Sequence, residues 1–202
     1  QWEEAFAAYQ RFPEYREVNL GMTLEEFRGI FLVEYGHRLW GRLIGLAFLV
    51  PFVVFFMRGW IGPKLLPKLL VAFVLGGAQG AVGWYMVKSG LVDVPDVSAY
   101  RLTAHLGLAL IILGYLLWIA LGLLFPPAGA AGPVRPTPLR RYAWAVLAVV
   151  FVTALSGGLV AGNDAGYAYN TFPTMNGEWV PAELFILDPL AGLKAYKDSS
   201  IA

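Results

Sequence analysis

Four long apolar stretches decide what this chain can become: residues 33–57, 69–87, 102–125 and 142–162. A helix needs about 20 apolar residues to cross the hydrocarbon of a bilayer, and each stretch is of that order. The fold class read from the sequence is therefore an all-α membrane protein, a polytopic bundle of four transmembrane helices with amphipathic outer segments. The whole composition agrees, with 58% hydrophobic and only 14% charged residues, far from an ordinary soluble domain. Gly62-Pro63 and Pro126-Pro127-Ala128-Gly129 punctuate the linkers. Pro51 falls inside the first span and predicts a kink there.

The basic residues orient the spans. The linker 58–68 carries Arg58, Lys64 and Lys68 with no acid, and the linker 126–141 carries Arg135, Arg140 and Arg141 with no acid. The positive-inside rule puts both on the cytoplasmic side. The N-terminal segment, the linker 88–101 (Lys88, Asp93, Asp96, Arg101) and the tail from 163 are mixed or acidic, hence outside. The alternation is the one four spans require, and it brings the first and third spans into the membrane from the same side. Trp40, Trp60, Trp84, Tyr85, Tyr100 and Trp144 fit interfacial anchoring belts. In residues 1–30, Trp2, Phe6 and Tyr9 recur at helical spacing, predicting a short amphipathic helix ended at Pro13. Thr23-Leu24-Glu25-Glu26 reads as a capping box, so a helix is expected to start near Leu24 and run unbroken into the membrane. The chain opens Gln1-Trp2-Glu3-Glu4, with neither an initiating Met nor a signal peptide, and is expected to be a fragment or a processed product.

Charge and cysteine content exclude several functions. A net charge of +1 without a basic run argues against nucleic acid. The absence of cysteine excludes a thiolate metal site, an iron–sulfur cluster, a disulfide and covalent c-type heme attachment. What remains are two histidines, His37 and His105, each close to the outer end of a span. Ionisable groups at such places are expensive and read by default as functional. His37 sits in Glu34-Tyr35-Gly36-His37-Arg38-Leu39-Trp40-Gly41-Arg42. Glu34, three residues earlier, shares its face. Gly41 and Gly45 follow at i+4 and i+8 and leave a strip of bare backbone against which a flat macrocycle could lie. Ala109 follows His105 in the same way. Arg38 and Arg42 form an i, i+4 pair suited to carboxylates such as heme propionates. Two imidazoles from two helices, with small residues beneath, are what a membrane b-type heme needs, His37 and His105 being the axial ligands of its iron.

The bland readings run alongside. A histidine at a helix end can be a hydrogen-bonded structural residue, and small-xxx-small spacing is a general device for helix contact in membranes. The second reading is preferred for Gly76 and Gly80, and Gln79 between them is expected to make an interhelical hydrogen bond. Zinc on Glu34, His37 and His105 would need further inward carboxylates, which the other spans lack.

Three blocks then resemble one family. Glu34-x-x-His37-Arg38-x-x-Gly41-Arg42 resembles the first-half signature of the heme A synthases, of the mitochondrial and alphaproteobacterial type. Tyr100-Arg101-Leu102-Thr103-Ala104-His105-Leu106 resembles the motif that carries the second histidine. Gly157-Gly158-Leu159-Val160-Ala161-Gly162-Asn163-Asp164-Ala165-Gly166, followed by Asn170-Thr171-Phe172-Pro173-x-Met175-x-Gly177-x-Trp179-x-Pro181, resembles the end of the family's fifth helix and the outer loop after it. The likeness covers nearly the whole chain.

The resemblance implies eight membrane helices in two similar halves, of which this chain covers about helices two to five. Residues 1–30 would be an outer amphipathic loop and 31–125 three helices of the N-terminal heme-binding half. Residues 126–141 would be a cytoplasmic linker, and 142–202 the first helix of the second half with its outer loop. The implied activity is oxidation of the C8 methyl of heme O to a formyl group, giving heme A for the terminal oxidase, in a bacterial inner membrane or a mitochondrial inner membrane. His37 and His105 would hold the substrate heme, with Glu34 needed for catalysis. Molecular oxygen or water, an electron donor and heme O synthase are the implied partners. A heme b is implied on a second histidine pair in the half that the likeness does not cover, so this stretch alone is not expected to turn over. Two other readings stay open: a bis-histidine b-type cytochrome for electron transfer, which gives Glu34 no task, and a transporter or assembly factor with a Glu34–His37 proton relay.

Overall fold

The computed structural model describes residues 1–88, 97–125 and 137–163, with 166, 171, 173–175 and 177–179 beyond them. Residues Gln1–Asn163 form one compact unit and Asp164–Ala202 a second. Among the described residues the first unit contains six helices: α1 (Trp2–Tyr9), α2 (Pro13–Glu17), α3 (Leu24–Met57), α4 (Leu66–Val87), α5 (Ala99–Leu124) and α6 (Pro138–Gly162). No strand occurs among the described residues, and α3 to α6 are each long and apolar enough to cross a membrane. The all-α polytopic fold expected from the four apolar stretches is thus the one observed. The basic linker 126–136, the acids Asp93 and Asp96, and most of the block from Asp164 to Pro181 lie outside the described residues.

The surface is inverted relative to a soluble protein. Among the described residues the buried hydrophobics are Phe27, Ala72, Ala99 and Ile119, at 4 to 8% exposure. Many large side chains of α3 to α6 face outward, among them Trp40, Trp84 and Trp144 of the expected belts, as does Trp60 in the α3–α4 linker. Lipid tails are as apolar as leucine, so burial drives little of the association between such helices; close contact through small residues does.

α3 begins where the capping box placed it. The Thr23 Oγ1 accepts from the Glu26 N–H at 3.3 Å, and the Glu26 carboxylate accepts from the Thr23 N–H at 2.8 Å. The helix then runs 34 residues, through Pro51, or about 51 Å at ~1.5 Å per residue. That exceeds the bilayer core, so its first turns stand outside. There Phe27 is the hub of an aromatic cluster: Phe6 lies 5.2 Å and Tyr9 5.1 Å from it, ring to ring, and Trp2 packs edge-on against Phe31 at 5.3 Å. Pro13 does not end α1, which stops at Tyr9; it opens α2 instead. The first helical position needs no N–H and suits the fixed proline φ. We expect Thr23→Ala to cost about 1 kcal/mol through the lost cap. Faster amide exchange over the first turn of α3, with the spans unaffected, is the measurement that checks it.

α5 is the centre of the bundle, with α4 on one side and α6 on the other. At one end of the α4–α5 pair the Arg101 Nη1 donates to the Tyr85 carbonyl at 3.0 Å, its guanidinium lying 3.8 Å over the Tyr85 ring. At the other end the Tyr115 hydroxyl donates to the Lys68 carbonyl at 3.1 Å, and the Lys68 ammonium sits 4.5 Å over Trp118. Glycines set the α5–α6 spacing. A Cβ added at Gly162 would stand 2.6 Å from the Ala99 Cα, and one at Gly158 3.0 Å from the Thr103 Oγ1. Gly157 has open space beside it. Overpacking of this kind costs about 1–3 kcal/mol, and a main-chain atom cannot rotate aside. Gly162→Ala is therefore expected to lower the thermal stability of the solubilised protein, and Gly157→Ala to leave it unchanged. Equal stability of the two variants would refute the close α5–α6 contact.

The second unit is described only in part. The Met175 and Glu178 backbones exchange hydrogen bonds of 2.7 and 3.1 Å across a tight turn in which Gly177 has φ +94°. That left-handed conformation favours glycine.

Candidate functional site

His37 lies on α3, ten residues after Phe27, and its side chain is exposed. Glu34 and Arg38 flank it on the same helix and pair directly, the Arg38 Nη2 donating to the Glu34 Oε2 at 2.7 Å. Both side chains are more than half exposed, 55% and 57%. Arg42, one turn on, makes no ion pair with a described residue. Cβ atoms built on Gly41 and Gly45 would meet nothing within 4 Å, so the bare strip expected below His37 is present and open. Outside the membrane, Tyr9 of α1 comes within electrostatic range of Glu34. Burial, mainly, holds the Tyr9 phenol above its ordinary value, against the lowering effect of a 2.8 Å hydrogen bond from Asn19.

His105 lies one and a half turns into α5, half-buried, with its ring turned to α4. A Cβ on Gly83 would stand 2.8 Å from the His105 Cε1. The Gln79 Nε2 is 3.1 Å from the His105 carbonyl oxygen and 3.4 Å from the His105 Nε2. The His105 Nδ1 is buried without a hydrogen-bond partner, as are the Gln79 Oε1 and the Thr103 Oγ1. His37 and His105 are close enough for their charges to act on each other. The sequence topology expected the two imidazoles on spans that enter from the same side. The α3–α4 ring contact, Phe48 on Phe73 at 6.4 Å, is eleven residues along α3 from His37, toward the inner side.

Sequence reasoning missed how α4 takes part. Gln79 was expected to bond between helices and does, but its partner is a site histidine. Gly76 and Gly80, read as a helix contact, have nothing within 4 Å of a built Cβ; the close approach is at Gly83 instead. The signal was present: Gln79 is the single amide side chain in α3 to α6, and Gly83 follows it at i+4 on the same face. No group of three or more His, Asp or Glu side chains able to hold a metal ion occurs among the described residues.

The arrangement suits a flat iron macrocycle better than a bare ion. It offers a histidine on each of two helices and open backbone where side chains would otherwise obstruct. Comparison with known proteins agrees. The family model described as cytochrome oxidase assembly protein, COX15-CtaA, matches residues 1–196. The chain belongs to the COX15-CtaA family. Among the similar members of that family, a heme A synthase of Nitrosospira multiformis is 53% identical over 93% of this chain and 53% of its own length. One of Rhodospirillum centenum is 51% identical over 94% of this chain and 50% of its own. The human heme A synthase COX15 is 45% identical over 94% of this chain and 48% of its own. The chain thus spans about half the length of the curated relatives it matches. No solved structure matches it.

Proposed function

We propose that this chain supplies the substrate-binding half of a heme A synthase, in which the C8 methyl of heme O is oxidised to the formyl group of heme A. One arrangement supports the reading: His37 on α3 and His105 on α5 are near enough for one charge to act on the other, and the backbone at Gly41 and Gly45 beyond His37 is open. The relatives' names support the same conclusion.

In this reading His37 and His105 would hold the substrate heme, and Gly41 and Gly45 would leave room for its macrocycle. Arg38 and Arg42 meet the propionates at the outer edge, where charge is tolerated. The heme iron supplies the redox chemistry that side chains cannot. Two rounds of two-electron oxidation take the methyl carbon to the level of a hydrated aldehyde, and loss of water gives the formyl group. With molecular oxygen, each round takes two electrons from a donor and two protons, one oxygen atom entering the methyl carbon and the other leaving as water; with water as the oxygen source, an electron acceptor takes the place of the donor. Glu34 is the group that moves protons or steadies positive charge near the ring edge. Its bond to Arg38 holds the carboxylate in place. Residues 31–125 are the three helices of the substrate half, and α6 opens the second half, where a heme b is expected. The membrane is the bacterial inner membrane or its mitochondrial counterpart, with heme O synthase a candidate partner that delivers the substrate.

Pigment extraction from cells expressing the full-length protein tests the assignment. Heme O and heme A in the purified protein are expected. Heme B alone would turn the reading into that of a b-type electron carrier.

A further inference from the structure

We propose that one end of the bundle, formed by the C-termini of α3 and α5 and the N-termini of α4 and α6, binds the headgroup of an anionic phospholipid, with Lys68 and Arg58 as its main contacts. The inference does not depend on the heme assignment.

The packing gathers the cations. α4 and α5 run antiparallel: Tyr85 meets Arg101, Gln79 meets His105 and Lys68 meets Tyr115. α5 and α6 do the same, since Gly162 meets Ala99, Gly158 meets Thr103 and Gly107 meets Leu155. The first turn of α6, with Arg140 and Arg141, therefore lies at the same end as Lys68. The α3–α4 linker brings Arg58 and Lys64 to that end as well. Lys68 is half-buried and the other four are exposed. No carboxylate answers them. The sequence has no Asp or Glu from Arg38 to Lys88 or from Arg101 to Asn163. Among the described residues none of these cations is in an ion pair.

Two of the cations are held at the apolar rim. The Lys68 ammonium lies 4.5 Å over Trp118, and the Arg58 guanidinium 5.6 Å over Trp60. Both rings are more than half exposed, 56% and 64%. Tryptophan favours the boundary between hydrocarbon and headgroups. Its ring quadrupole holds a cation against one face and leaves the cation's outer side open. Fixed there, the charge stands at the depth of lipid phosphates. Leu117 and Leu121, exposed beside Trp118, offer apolar surface to the tails. A soluble anion would gain from the charges alone, whereas a phospholipid gains from both. Basic groups at such a level attract anionic headgroups. The opposite end of α4 supplies the control: Lys88 lies 5.0 Å over Trp84, the same kind of pair, but Asp93 and Asp96 follow it in the chain.

The test uses the full-length protein in bilayers of equal parts phosphatidylglycerol and phosphatidylcholine. After extraction in mild detergent, native mass spectrometry identifies the lipids still bound. Phosphatidylglycerol is expected to be retained in preference, and the preference to fall as salt is added. Lys68→Gln and Arg58→Gln are each expected to lower it roughly fivefold, while Lys88→Gln leaves it unchanged. Should one of the two variants fail to fold, the other and the salt series on the unsubstituted protein decide. Three results overturn the site: no preference in the unsubstituted protein, an equal loss in Lys88→Gln, or a preference that survives both substitutions together. Displacement of the lipid by inorganic phosphate more effectively than by chloride at equal ionic strength also overturns it, and gives these charges to a soluble anion.

Discussion

Replacing His37 or His105 with alanine in the full-length protein is expected to abolish heme A formation while the heme of the other half stays bound. The physical case is that each variant removes a ligand and little else. The His37 side chain is exposed, and truncating it empties no core; such surface changes stay within about 0.5 kcal/mol. His105 is packed on α4, but the Gln79 hydrogen bond to its main chain does not depend on the imidazole. The α4–α5 pair also keeps its clamps at Arg101 and Tyr115. The fold should therefore survive both substitutions, and the loss should fall on substrate placement. A reactive carbon displaced by about 1 Å can lose on the order of 10²-fold in rate, and a heme held from one face alone is displaced further. Pigment analysis of the purified variants reads the result. A folded variant stripped of all heme would show that the two sites are not separate, and the assignment of these histidines would fall.

Glu34→Gln is the second large effect. The Glu34–Arg38 pair is short but exposed, and i, i+4 pairs of that kind contribute about 0–1 kcal/mol. If holding Arg38 were the whole role of Glu34, the amide would leave turnover nearly intact. A carboxylate that moves protons in the reaction contributes roughly 10²–10⁴-fold, and an amide cannot replace it. We expect the variant to retain heme O, or a partly oxidised form of it, and to make little heme A. Near-normal heme A would reduce Glu34 to a structural partner of Arg38.

The spans were legible because hydrocarbon imposes long uninterrupted apolar runs. Thr23 and Glu26 were legible as a cap because that motif is local, each residue satisfying the other's backbone. What the sequence hid was contact between helices. Gly76, Gly80 and Gly83 look alike along the chain, and only the rotation of α4 against α5 decides that Gly83 meets a histidine while the others meet nothing. The tight α5–α6 approach at Gly158 and Gly162 was hidden for the same reason. Pro13 was misread as a stop because proline is compatible with the last residue before a helix break and with the first residue after it.

The two walls of the site are held very differently. The His105 wall is gripped by α4 and α6 along its length. The His37 wall is steadied above by the Phe27 aromatic cluster and below by the Phe48–Phe73 stack, with open glycines between. A clamp with one fixed and one compliant jaw has an apparent affinity set by how often the compliant jaw is in position. Exchange of a large flat ligand then depends on the compliance of α3 as well as on the strength of the iron–imidazole bonds. On the proposed reading, loosening Trp2 or Phe6 would speed release at His37 without altering any residue assigned to the heme.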